Sequence, residues 1–575
     1  MYRQVLDPVS HSLAVTSIFA ALPLLALFVL LGVLRWRAWL AGLVSLLVAL
    51  VIAIAVYSMP TSQAVLAGTE GAAFGFFPIL WIVINAIWIY NMTVTTGHFD
   101  VLRRSFARVS DDQRIQGVII AFCFGALLEA LAGFGTPVAI TSVMLIALGY
   151  RPIKAATVAL VANTAPVAFG ALAVPITTLS TVTKLPQSDL GAMVGRQTPL
   201  LGIFVPLALV FIIDGRRGVR QTAPAMVVCG VVFAVAQYAV ANFGSIPLTD
   251  IVASLLSAGA TVLFLRVWHP VEVYTEPRDE VAVGARGASA RGAGHKEAGD
   301  SPTRRDAPTR AAGDSRGKRG TGAAPTAPDT PREVTRAYAP YAIIIAVFAL
   351  AQLPALKTLL AKPTKIIHWP GLHIVDAAGK TSTLPNFTLN WLAAAGTLLI
   401  IAGLLTVPVL GISPAAALRA YLATYRQLAA AILTVMAVLA LAYVMNASGQ
   451  TATLGRWMAG VGGLFALISP LLGWIGVAVT GSDTSSNSLF GALQVAAAQK
   501  AGLSPTLLAA ANSSGGVLGK MISPQNLAIA AAAVGMSGRE GDLFRKVLGW
   551  SVLFVVLMCL LVYLQSTSAL SWMVP

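Results

Sequence analysis

The 575-residue chain is 57% hydrophobic and only 11% charged, with a mean hydropathy of +0.78. No soluble domain of this length could hide that much apolar surface, so the bilayer has to be part of its solvent. The net charge of +16 would suggest nucleic acid in a soluble protein. Here the basic residues flank apolar runs, which points to anionic lipid and not to a nucleic-acid partner.

Apolar runs of spanning length occur near 13–34, 38–58, 72–94, 155–176, 198–213, 223–242 and 251–267, then near 338–356, 389–410, 428–446, 505–535 and 547–565. The first run has few basic residues before it and a second span directly after it, so it reads as a retained helix and not as a cleaved signal peptide. The expected fold is an all-α polytopic membrane protein of about twelve transmembrane helices. Residues 271–336 are different in kind. They hold twelve Lys or Arg against ten Asp or Glu with no apolar periodicity, so a disordered cytoplasmic linker is predicted there. It separates a membrane half at 1–270 from another at 337–575. Cys123, Cys229 and Cys559 all fall in apolar segments, and no spacing suggests a disulfide or metal site.

Orientation follows from the short loops. Arg35 and Arg37, then Arg103, Arg104, Arg108 and Arg114, then Arg216, Arg217 and Arg220 mark three basic loops. Placing them in the cytoplasm puts the N-terminus outside. The loop at 357–388 then faces outward despite four lysines.

Parity of crossings gives meaning to the two regions left over, 118–148 and 460–499. Each has to cross an even number of times. Region 118–148 is interrupted at Gly133-Phe-Gly135, leaving arms of about thirteen residues, about 20 Å each, against a hydrocarbon core of about 30 Å. Re-entrant hairpins fit and paired full spans do not. One hairpin enters from the cytoplasm and the other, broken at Gly481–Asn487, from outside. Each is followed by a second polar break, Asn163-Thr-Ala-Pro166 or Asn512-Ser-Ser-Gly-Gly516. The spacing matches, with 27 residues from Thr136 to Asn163 and 28 from Thr484 to Asn512. Inverted repeats with discontinuous helices at mid-membrane are the architecture of secondary transporters.

Freed backbone survives in a membrane only inside protein or beside a watery cavity, and half-helix N-termini suit a carboxylate. Candidate substrate-binding residues are therefore Gly133, Gly135, Thr136, Asn163 and Thr164, with Ser485, Ser486, Asn487, Asn512, Ser513, Ser514 and Gly515 in the second half. The competing explanation for any one Gly, Ser or Thr is close helix packing. Three ionisable residues fall in these segments. Lys520 could hold a substrate carboxylate or pair with Asp483 or Glu129, and Glu129 and Asp483 are the proton-coupling candidates. Asp483 could equally cap its own helix. His11, His98, His269, His295, His368 and His373 map to loops or span ends, so no buried histidine relay is expected.

Taken together, Leu128-Glu-Ala-Leu-Ala-Gly-Phe-Gly-Thr-Pro-Val-Ala-Ile140, Asn163-Thr-Ala-Pro-Val-Ala-Phe-Gly170, Gly481-Ser-Asp-Thr-Ser-Ser-Asn-Ser-Leu-Phe-Gly491 and Asn512-Ser-Ser-Gly-Gly-Val-Leu-Gly-Lys-Met-Ile-Ser-Pro-Gln525 resemble the signatures of the bacterial L-lactate permease family. The resemblance implies a multi-pass protein of the cytoplasmic membrane that imports L-lactate, with D-lactate and glycolate as further substrates, by proton symport. No cofactor beyond the coupling ion is expected, an enzyme is disfavoured because no metal cluster or nucleophile–histidine pairing falls in the membrane segments, and the expected partners are a small monocarboxylate, lipid and a further copy in a homo-oligomer. Ala130, Leu131 and Asn526-Leu527 depart from the family pattern and bear on which 2-hydroxy acid is preferred, and the linker is longer than usual. Two alternatives stay open: an exchanger of dicarboxylates or other organic anions, and sodium coupling, since hydroxyl- and carbonyl-rich breaks also suit Na⁺. A sensor signalling through 271–336 is a third class, disfavoured because that stretch holds no folded output domain.

Overall fold

In hydrocarbon the backbone has to satisfy its own N–H and C=O groups, and the computed structural model is accordingly built almost entirely of helices. It describes residues 1–107, 109–131, 133, 135–276, 329–351, 353–377, 379–537 and 539–575. In chain order the helices used below are α1 (Leu13–Val33), α2 (Ala38–Ala55), α3 (Thr61–Thr95), α4 (Gln113–Leu131), α5 (Thr136–Ala147), α6 (Pro152–Ala162), α7 (Gly170–Thr183), α8 (Val205–Phe243) and α9 (Ile246–Phe264). They continue with α10 (Pro331–Ala351), α11 (Ala395–Leu410), α12 (Pro414–Ser448), α13 (Phe465–Thr480), α14 (Asp483–Ala501), α15 (Pro505–Gly519), α16 (Pro524–Ala533) and α17 (Glu540–Gln565).

Among the described residues, 10 helices are long and apolar enough to cross a membrane, or 11 if the bent pair Pro152–Ala162 and Val167–Thr183 forms one span. The difference from the expected twelve has local causes. The run at 389–410 yields only the 16 residues of α11, and the run at 505–535 divides at Lys520. The runs at 198–213 and 223–242 belong to one stretch, Gln187–Phe243, broken at Gly215 where φ is 65°.

At both expected hairpins two helices meet at a glycine break, and the first arm of each belongs to a helix of spanning length, Gln113–Leu131 and Gln450–Thr480. α4 and α5 join through Gly133 and Gly135, whose φ values of 53° and 80° lie where side chains are disfavoured. α13 and α14 join at Gly481, with φ 74°. The first arm corrects the expectation of about thirteen residues. α4 has 19, about 28 Å at helical rise, because the polar stretch Gln113–Val118 is also helical under the side-chain cap of Asp112. Its return arm α5 keeps to 12 residues.

Behind each hairpin comes a broken helix. α6 turns by 65° into the segment containing α7, and α15 breaks over Lys520–Ile522 before α16. The two units pack on one another reciprocally. α5 of the first lies on α16 of the second, and α14 of the second lies on α7 of the first. Around them α2 and α3 pack on α12. The α3–α12 approach is close enough that a Cβ on Gly71 would meet the backbone at Leu439 and Ala440, the small-residue packing common between membrane helices.

The lysine-bearing loop is folded. β2 (Lys365–His368) pairs with β4 (Asn386–Leu389), and β3 (Ile374–Val375) pairs in parallel with β1 (Tyr2–Arg3). The N-terminus and the 357–388 loop therefore share one face. The disordered linker expected over 271–336 lies outside the described residues at 277–328. At its margins the structure differs from that expectation. Tyr274 N–H donates to Asp112 Oδ2 (3.1 Å), Lys154 Nζ to Glu276 Oε2 (2.9 Å), and α10 already begins at Pro331. Both margins hold because Arg114, buried against Asp112 and Asp214, and Arg104, paired with Asp329, give them charged anchors.

Candidate functional site

The three polar breaks nearest the middle of the molecule converge on one carboxylate. Glu129 lies in the last turn of α4, just before the first hairpin tip. Lys520 sits at the α15–α16 break and places Nζ 2.5 Å from Glu129 Oε1. Asn163, at the end of α6, donates from Nδ2 to Glu129 Oε2 at 2.9 Å. Glu129 is 3% exposed and Lys520 6%. Burying either charge alone would cost several kcal/mol, so each requires the other. The first residue of α7 closes the fourth side, since a Cβ on Gly170 would stand 2.8 Å from Glu129 Oε1.

Asp483 is not the cap of its helix. Ser482 takes that role, its Oγ accepting the N–H of Ser485 at 3.3 Å. This frees the Asp483 side chain to turn inward, where Oδ2 accepts from Ser513 Oγ (2.5 Å) and from Asn487 Nδ2 (3.4 Å). Its Oδ1 has no hydrogen-bond partner among the described residues. Behind this carboxylate, Asn512 Nδ2 donates to Asn487 Oδ1 (2.9 Å), and Asn487 Nδ2 reaches the carbonyl of Pro175 on α7 (3.1 Å). The second hairpin is thereby tied to the broken helix of the first unit.

Both acids face a cavity of about 840 Å³. Its inner wall is formed by Glu129, Gly133, Thr136, Lys520, Asp483 and Ser485 from the expected set, together with Gly170, Ala171, Pro175, Ser482, Thr484 and Gln525. Its other end is framed by Arg35, Trp36 and Arg37 in the α1–α2 loop and by Gln427 and Thr434 on α12. Asn163, Ser486, Asn487, Asn512 and Ser513 form the layer behind the wall. Four expected residues stand elsewhere. Gly135 packs against Ile529 and Asn526, and Thr164 Oγ1 donates to its own helix at Val161 O (2.7 Å). Ser514 reaches Gln197 Oε1 (2.7 Å), and Gly515 lies on the backbone of Pro470. For Gly515 the close-packing explanation is the one realised.

Several wall residues went unselected although they stand in quoted motifs: Ser482, Gly170 and Gln525. Others carried no signal. Ala171, Leu172 and Ala173 adopt φ of 44°, 56° and 61°, a left-handed turn costing about 1–2 kcal/mol per residue, and nothing in an Ala-Leu-Ala run announces it. Glu70 and Asp250 are further fully buried acids in helices. Among the described residues no group of three or more His, Cys, Asp or Glu is placed to hold a metal ion.

Spanning helices, two glycine-tipped hairpins and a buried charge pair beside a central cavity define a polytopic helical membrane protein. The chain belongs to the L-lactate permease family, whose profile matches residues 16–568. It is 38% identical over 595 aligned positions to L-lactate permease of Bacillus subtilis, and 38% identical over 587 to that of Escherichia coli K12, with 100% of both chains covered in each case. It is 39% identical over 566 positions to glycolate permease GlcA of Escherichia coli K12, covering 96% of each. Among solved structures, Neisseria gonorrhoeae MtrF is similar at 12% identity and a TM-score of 0.43, covering 87% of this chain and 82% of that one. The Alcanivorax borkumensis YdaH transporter is similar at 15% identity and a TM-score of 0.41, covering 86% of each.

Proposed function

We propose that this permease imports L-lactate and glycolate across the cytoplasmic membrane together with a proton. The observation that carries the mechanism is the Lys520–Glu129 ion pair in the cavity wall. Lys520 has one carboxylate partner among the described residues and faces space that a second carboxylate can enter. A substrate anion competes with Glu129 for the ammonium, and protonating Glu129 is what releases Lys520 to it. Loading the anion and loading the proton thus become one event, electroneutral for a monocarboxylate. Thr136 and Ser485, on the two hairpin tips, stand in the same wall to hydrogen-bond a 2-hydroxyl group. The two hairpin units, read as inverted repeats, then expose the site to each face in turn.

The kinship with lactate and glycolate permeases supports the substrate class, and the single intramembrane lysine in the wall suits a monoanion better than a dicarboxylate. The test is uptake of labelled L-lactate into proteoliposomes under an imposed pH gradient, with D-lactate, glycolate and pyruvate as competitors. Accumulation driven by the gradient and blocked by glycolate is expected. Accumulation that ignores the pH gradient but follows a sodium gradient overturns the proton assignment.

A further inference from the structure

Away from the cavity, α3 carries an acid that no donor reaches, although the charge of Lys184 already acts on it. Glu70 is fully buried, and neither carboxylate oxygen has a hydrogen-bond donor among the described residues. One turn further along the same helix, Phe74 stacks on Tyr443 of α12 at 5.2 Å, and the buried Tyr443 hydroxyl is likewise unpartnered. Lys184, the residue that ends α7, rests its ammonium over these rings, 4.7 Å from the Phe74 centroid and 5.8 Å from that of Tyr443. A lysine thus sits on aromatic faces one helical turn from a buried carboxylate with no donor.

Two helix directions make this arrangement informative. α3 begins at the end of the molecule remote from the Arg35–Arg37 mouth and runs towards the cavity, where its Ile87 forms part of the wall. α7 runs the opposite way, from Ala171 in the cavity wall to Lys184 at the remote end. Because the helices run in opposite directions, moving α7 by about one turn, about 5.4 Å, away from the mouth takes Lys184 from the level of Phe74 to that of Glu70. Asn487 holds the Pro175 carbonyl of α7, so the second hairpin has to move with it or release that bond.

We propose that Glu70 is the seat of Lys184 in the alternate access state, so that the pair latches the cavity closed towards Arg35–Arg37. This rests on the alternating-access transport proposed above. In the state described here the cavity reaches the mouth and Lys184 is held by cation–π contact. In the other state the same ammonium satisfies the buried carboxylate. One-turn ratchets between two discrete packings are an established form of conformational switching.

The test uses a chain in which Cys123, Cys229 and Cys559 are replaced by alanine, with Glu70→Cys, Lys184→Cys and a reporter, Thr434→Cys, in the cavity wall near the mouth. Bridging the two thiols with a short bis-methanethiosulfonate, whose span replaces the lost side-chain length, is expected to lower labelling of the reporter by an impermeant maleimide from the mouth side at least about fivefold, recovering with reductant. Failure of the bridge to form overturns the proposal, and so does a bridge that leaves reporter labelling unchanged. In the native-charge background, Glu70→Gln should raise reporter labelling, and the exchange Glu70→Lys with Lys184→Glu should return it towards the unmodified level. An exchange that behaves like either single reversal counts against the latch. Labelling needs no substrate, so a latch that works in a protein failing to take up lactate would refute the substrate assignment and leave the latch intact.

Discussion

Lys520 and Glu129, 391 positions apart in the chain, meet at 2.5 Å in a wall that neither half of the protein could build alone. Removing one partner of such a buried pair costs about 3–5 kcal/mol, whereas replacing both with apolar or neutral groups is often close to neutral. Lys520→Ala is therefore expected to lower the melting temperature in detergent more than the double variant Lys520→Met/Glu129→Gln. A double variant as unstable as the single would mean that the two charges do not depend on each other.

The two acids separate by function. Glu129→Gln should abolish accumulation driven by a pH gradient, by at least about tenfold, because Lys520 is then permanently free of its competing charge. Asp483→Asn keeps an oxygen for the Ser513 and Asn487 donors and should retain gradient-driven accumulation at reduced rate. The opposite pattern in proteoliposome uptake would transfer the proton to Asp483.

Packing behind the site is equally exposed to test. A Cβ on Gly473 would overlap the carbonyl of Asn512, where α13 crosses α15. Backbone cannot yield as a side chain does, and overpacking costs about 1–3 kcal/mol even when the neighbours relax. Gly473→Ala should lose thermal stability by at least that amount and displace Asn512 from Asn487. Gly535→Ala, at a site with open space around it but with φ 70°, should cost about 1–2 kcal/mol through backbone conformation alone, with uptake retained.

Both margins of the 277–328 segment are independently anchored, one through Asp112, Gln113 and Lys154, the other through Arg104. Replacing 277–328 with a flexible Gly-Ser linker of about twenty residues, about 25 Å in root-mean-square reach, should leave lactate uptake within about twofold. Loss of uptake with expression preserved would assign that segment a role in transport.

The hairpin tips were legible because glycine, serine and threonine in an apolar run have a physical meaning that leucine and valine do not. Lys520 could be read as pairing with Asp483 or Glu129, but the choice of Glu129 is a product of how the two halves dock, and spacing carries no record of it. Glu70 was missed for a different reason. The apolar count begins a span at residue 72, but the helix begins at Thr61. Its first turns, Thr61 to Gly71, are rich in small and polar residues and are helical because Gly68, Gly71 and Gly75 let α12 approach. Of the two readings of Asp483, capping was removed by one neighbour, since Ser482 captured the cap.

The cavity also sets a water count. A cavity of about 840 Å³ holds tens of waters, far more than a three-carbon acid displaces. If the alternating access proposed above closes it against the mouth, most of that water returns to bulk, and turnover should then depend on the concentration of a polymer too large to enter, a dependence that would report the volume each cycle opens and shuts.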